Sequence, residues 1–164
     1  VRADGGDISI DGQPIAHILR GSVWLGLAEV AASKAHKTVL KQARKTIGTL
    51  PPAATRLAEL TIPLQQMRDT LAEAIREFDD KKDTIDADGL ASLTRMETLT
   101  VSVANLLPDV GCRAVVSCGI NGYRQDSPET LSRVLRDSYA APVMINNDRA
   151  LRNNAIRLVG RKEI

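Results

Sequence analysis

The stretch whose residue types and spacing could carry out covalent chemistry is Cys118-Gly119-Ile120-Asn121-Gly122-Tyr123-Arg124, a thiol and a guanidinium with five residues between them. A thiolate at the start of a tight loop can attack a phosphate ester while backbone N–H groups and an arginine hold the phosphate oxygens. The same positive field lowers the thiol pKa enough to make the nucleophile. Cys118 and Arg124 are therefore the candidate catalytic pair of an anion-binding enzyme.

A second constellation is the row of cations Lys34, Lys37, Lys41, Arg44 and Lys45, most of which fall on one side of a helix by their spacing. Such a face suits an acidic protein surface, anionic lipid or a phosphate backbone. The next helical run carries Asp69, Glu73, Glu77 and Asp80, so a hairpin predicts that the two rows flank a shared apolar seam as ion pairs. Exposed pairs of this kind contribute only about 0 to 1 kcal/mol each, enough to choose an alignment but not to stabilise a fold.

The cysteine-to-arginine spacing resembles that of the cysteine-dependent phosphatases, and that resemblance implies a phosphate-binding loop. Ser117 stands where that family has histidine, Gln125 replaces its Ser or Thr, and the following helix is predicted from Ser127 rather than from the arginine. With two cysteines and fifteen arginines in 164 residues, this spacing arises by chance roughly once in five or six such chains. The alternative is a small buried Cys118 at the end of a strand, followed by a Gly119-Asn121-Gly122 turn.

His17 and His36 have no second histidine or cysteine at metal-ligand spacing, and no metal or other cofactor is expected. Asp86-Ala87-Asp88-Gly89 is a fragment of a calcium loop without its remaining ligands. The amide-rich stretch Asn146-Asn147-Asp148-Arg149 with Arg152-Asn153-Asn154 reads as a cap and a solvated helix face.

These residues depend on the elements around them. Residues 7–15 alternate Ile8 and Ile10 with polar neighbours before Asp11-Gly12, which predicts a short strand and turn. From Ser22, the expected N-cap, to Ile47 the apolar period becomes helical, and Gly48 with Pro51-Pro52 predicts a reversal. Leu57, Leu60, Leu64, Met67, Leu71, Ala74 and Phe78 then repeat at steps of three and four, the seam of a helix packed lengthwise on another. Pro63 within it predicts a kink or a helix start near Thr61.

A third helix is predicted through Leu90, Leu93, Met96, Val103 and Leu107, ending before Pro108. In the last third, 113–117 and 142–145 read as short β-prone runs, and helices are predicted after Ser127 and from Asp148.

Composition bounds the function. The 164 residues are 43% apolar and 26% charged, which fits one globular domain. Four aromatics (Trp24, Phe78, Tyr123, Tyr139) and a net charge of +2 disfavour a base-stacking or strongly basic nucleic-acid binder. Residues 1–53 carry a net +3, residues 54–112 a net −5 and residues 113–164 a net +4. Cys112 and Cys118 cannot form a disulfide framework, so a reducing, cytoplasmic-type compartment is the default. No uninterrupted apolar run of 18 residues is present, so an integral membrane protein is not expected, whereas contact with an acidic membrane surface is compatible with the cations. The chain begins with Val1 and is compatible with a piece of a longer protein.

The expected fold is α+β, mostly α, in a single domain over 1–164. It comprises a strand and turn over 1–21, an antiparallel long-helix hairpin or small bundle with a third helix over 22–107, and a mixed α/β part over 108–164. The expected function is a protein–protein interaction or regulatory module that binds a partner or self-associates through its long helices. Lys34, Lys37, Lys41, Arg44 and Lys45 are its candidate contact residues, with the Cys118–Arg124 phosphatase-like enzyme as the alternative.

Overall fold

Buried residues recur every three or four positions through most of the chain, a period that only helices satisfy. A computed structural model describes residues 12–46, 48–81, 89–144 and 147–160. It holds α1 (Gly12–Lys45), α2 (Ala53–Lys81), α3 (Gly89–Cys118), α4 (Ile120–Tyr123), α5 (Ser132–Met144) and α6 (Asn147–Val159). Among the described residues there is no strand, so the architecture is all-α and the α+β expectation is overturned.

Each misplaced strand has a physical explanation. The first was expected over 7–15; residues 7–11 lie outside the described residues, and 12–15 open α1. Residues 113–117 are the last turns of α3, where Val110, Ala114, Ser117 and Cys118 point into the core at helical spacing. Burial on that face, with the Asp109–Arg113 ion pair one turn apart, overrides the β-propensity of two adjacent valines. Residues 142–144 end α5, with Ala141 buried and Val143 exposed; residue 145 lies outside the described set.

The helices are also longer than expected. Ser22 is inside α1, not its cap, and its hydroxyl donates to the Ile18 carbonyl (2.9 Å). Neither Pro63 in α2 nor Pro108 in α3 ends its helix. Prolines cost most in an isolated helix, and here the flanking turns bury Leu60, Leu64, Met67, Leu107 and Val110, which holds the helix across the break.

The reversal after α1 occurs at Gly48, whose φ of +87° is left-handed, and Ala54 N–H donates to the Pro51 carbonyl (2.9 Å) as α2 begins. α2 therefore runs antiparallel to α1. Glu59, near its start, pairs with Arg113 of α3, and Glu77, near its end, pairs with Arg95. α3 consequently runs antiparallel to α2 and parallel to α1, and His17 faces Thr100. α5 and α6 return along α3, with Ser138 beside Gly111, Asn147 bonded to Asn105 and Arg157 to Glu97.

α3 is the hub, touching α1, α2, α5 and α6. Its Met96, Leu99, Val103, Leu107, Val110 and Ala114 meet Trp24, Ala28, Ala31 and Ala35 of α1 and Leu60, Leu64 and Met67 of α2 in one core. The alanine-rich inward face of α1 lets that helix lie close to α3. By length and composition the segments Pro14–Lys45 and Ala91–Cys118 could each cross a membrane; half of the second is buried inside the bundle, and only 22% of the first.

Candidate functional site

Cys118 is the last residue of α3, and Gly119, at φ +67° and ψ −154°, ends the helix in a backbone conformation that essentially only glycine adopts. The single turn α4 follows and is locked from both sides. Gly122 N–H donates to the Gly119 carbonyl (2.9 Å), and the Gly122 carbonyl accepts from Leu131 N–H (2.7 Å). The structure therefore folds the 118–124 segment as a helix end and a turn.

The thiol of Cys118 is buried, and that burial pushes its pKa up; Glu129 adds to the effect, while the Thr38 hydroxyl and Lys34 oppose it. Arg124 is exposed and clasps Asp126 through Nε (2.9 Å) and Nη2 (2.6 Å), which holds the Asp126 carboxyl below its ordinary range. The charges acting on the thiol thus come from Lys34 and Glu129, and the guanidinium expected to activate it faces a carboxylate instead. A raised thiol pKa is the opposite of what a nucleophilic cysteine needs.

Cys112 supplies the comparison, since it is exposed. In the folded protein, iodoacetamide is expected to alkylate Cys112 at least about a hundred times faster than Cys118, because only the exposed thiolate reacts. Phosphate should leave the Cys118 rate unchanged. Alkylation of Cys118 below neutral pH that phosphate blocks would restore the enzyme reading.

The cationic row is divided by the fold. Lys34 Nζ donates to the Thr130 carbonyl (2.9 Å), and Lys41 Nζ pairs with Glu129 Oε1 (3.0 Å), tying the loop before α5 to α1. Lys41 is the main cause that depresses the Glu129 carboxyl. Lys37, Arg44 and Lys45 are exposed on the helix surface. The expected pairing with the acidic row of α2 does not form. In an antiparallel hairpin, residues 34–45, just before the turn, lie beside the start of α2, whereas Asp69 to Asp80 lie beside the first half of α1. Among the described residues the α1–α2 ion pair is instead Glu29–Arg68 (2.7 Å); Glu73 pairs with Arg76 and Asp69 accepts from Gln65.

A feature not foreseen from sequence lies along the same outer side of α1. Ile15 (44% exposed), Leu19 (61%), Val23 (70%) and Val30 (47%) stand at steps of four, four and seven, so they form one row. Gly26 lies within that row, with nothing near the position a Cβ would take. Lys37 and Arg44 continue it at further steps of seven, and the outer surface of α1 passes from apolar in its first half to cationic in its second. Helical spacing alone could have revealed the row, but which face of α1 is outward depends on α3.

Two polar contacts inside the bundle were also unforeseen. His17 Nδ1 lies 2.7 Å from Thr100 Oγ1, whose own hydrogen goes to the Met96 carbonyl, and burial lowers the His17 pKa. Glu97 and Arg157 form an ion pair (2.6 Å) with side chains only 11% and 15% exposed. Their partners lie about sixty residues apart, beyond any local spacing rule.

Among the described residues no group of three or more His, Cys, Asp or Glu is placed to hold a metal. The Asp86–Asp88 segment lies outside the described residues. An open groove of about 310 Å³ runs between α2 and α3, floored by Ala74, Met96 and Leu99 and walled by Thr70, Glu77, Arg95 and Thr98. The chain matches no family model, and no curated protein and no solved structure is detectably similar to it.

Proposed function

We propose that the chain is a protein–protein interaction module that self-associates through the outer face of α1. The observation that supports this is the unpartnered row Ile15, Leu19, Val23 and Val30, which leaves four large or branched apolar side chains in water on one helix face. The seam of α2 is spent within the chain, since Leu60, Leu64, Met67 and Leu71 are buried against the other helices. That leaves α1 as the long helix with a free apolar face.

The row suits a second copy of itself. Two such helices laid antiparallel would cover each other's apolar halves, with Gly26 allowing close approach and Lys37 and Arg44 lying beyond the apolar contact, where like charges stay apart. Lys37, Arg44 and Lys45 therefore flank the proposed contact as exposed cations and do not form it, while Lys34 and Lys41 are paired within the chain.

Sedimentation of the wild-type chain over a micromolar to millimolar range tests the reading, with Leu19→Asp/Val23→Asp as the comparison. The wild type is expected to form dimers. The double variant should weaken the association at least about a hundredfold, two central apolar anchors being worth more than 1 kcal/mol each. Its helical circular dichroism should not change, since both side chains are exposed. A wild type that stays monomeric throughout, or a variant that dimerises equally well, would overturn the proposal.

A further inference from the structure

α6 sits on α3 in an unusual way. Its inward positions Asn147, Ala150, Asn154 and Arg157 follow steps of three, four and three, and three of the four are polar. Its large apolar residues Leu151, Ile156, Leu158 and Val159 are exposed. α5, by contrast, buries Ala141 and Ser138 and packs Val134 on the core. α6 is therefore held by polar contacts where its neighbour is held by apolar ones.

Those contacts form a connected lock. Arg157 Nη1 donates to Glu97 Oε2 (2.6 Å) and to Asn154 Oδ1 (3.1 Å); Asn154 Nδ2 donates to Thr98 Oγ1 (3.1 Å) and more weakly to the Thr94 carbonyl (3.5 Å). Asn147 Nδ2 reaches Asn105 Oδ1 (3.3 Å), while its own Oδ1 is buried with no partner in the structure. Hydrogen bonds of this sort are largely exchanged for water when a contact opens, and a buried ion pair gains little over its desolvation cost. A helix of 13 residues is also near the length below which an isolated helix is marginal in water. Undocking α6 thus exposes little apolar surface and loses little net free energy, unlike undocking any of α1, α2 or α3.

We propose that α6 is a detachable strap: the Glu97–Arg157 lock holds it on α3, and it opens while α1, α2 and α3 stay folded. The strap borders the groove between α2 and α3, because Thr94 and Thr98 line that groove and also receive Asn154. Val101 lies on the α6 side of α3 by its spacing of four from both Glu97 and Asn105, and it is buried. Opening bares Glu97 and Val101 on the side of α3 next to the groove wall at Thr94 and Thr98.

Native-state hydrogen exchange on the full chain, resolved by peptide, tests this in the wild type and in Arg157→Met. Amides of 150–158 are expected to exchange at least tenfold faster than those of 103–114, with little dependence on denaturant. Arg157→Met should speed α6 a further tenfold or more and leave 103–114 unchanged. A second readout is alkylation of Val101→Cys in a Cys112→Ser background, which should be slow and should accelerate at least tenfold when Arg157→Met is added. Exchange of α6 and α3 at one shared rate in the wild type would overturn the proposal. So would loss of protection in 103–114 equal to that in α6 when Arg157 is replaced.

Discussion

Replacing Leu107 with alanine is expected to destabilise the protein by about 3 to 5 kcal/mol, the upper part of the range for large-to-small changes in a core. Leu107 is fully buried in the middle of the hub helix, where the faces meeting α1 and α2 converge. It also precedes Pro108, which cannot donate a backbone hydrogen bond, so this turn of α3 depends on its side chains more than a regular turn does. The surroundings cannot close over the void by moving one helix, because α3 is held from several sides. Thermal or denaturant unfolding measures the loss, with a fall in Tm of roughly 10 °C for a chain of this size. A loss below about 0.5 kcal/mol, the usual range for an exposed substitution, would show that α3 is not the centre of the core.

The second large effect is expected at Gly122. A Cβ built there would lie 2.5 Å from Cys118 Cβ and 3.1 Å from the Val115 carbonyl oxygen, and neither atom is the movable tip of a side chain. Gly122→Ala must therefore displace α4 from the end of α3. A net loss of about 2 kcal/mol is expected, within the range for overpacked sites and despite the better helix propensity of alanine. The contact names its own control. Cys118→Gly removes the facing Cβ, so the two substitutions together should be less harmful than the sum of their separate effects, and Cys118→Ser should give no such relief. Additive losses in a double-mutant cycle would mean that Gly122 is required for another reason. The same contact assigns Cys118 a packing role at a helix end, in keeping with the burial that raises its thiol pKa.

The proposed interaction face, the proposed strap and the core are expected to respond separately to substitution. Leu19 and Val23 project from the outer side of α1, so their replacement is expected to act on the proposed association and not on folding. Arg157 affects one short helix, whereas Leu107 and Gly122 affect the bundle and its end. The Lys41–Glu129 ion pair lies outside all three and ties the loop before α5 to the cationic half of α1.

Local chemistry in the sequence determined the reversal between the first two helices and the buried seam of the second. Gly48 and two prolines leave the backbone few alternatives, and Leu60, Leu64, Met67 and Leu71 repeat at a period that only a helix can bury. The cationic residues at 34–45 were equally legible as a row.

Tertiary structure decided the rest. The run 113–117 has β-prone residues, but Ala114 and Cys118 complete the core face of α3, and burial outweighs a local preference of a few tenths of a kcal/mol. Pro108 reads as a helix end and Pro63 as a kink or a helix start near Thr61, yet α3 runs on past Pro108 and α2 starts ten residues before Pro63. The direction of α2 placed its acidic residues beside the wrong half of α1 for the expected pairs, and the loop before α5 supplied partners for Lys34 and Lys41 instead. Glu97 and Arg157 became partners only because α6 returns along α3, and the apolar row of α1 is outward only because its alanine face meets the hub. Spacing along one helix fixes which residues share a side; only the neighbouring helices decide which side is covered.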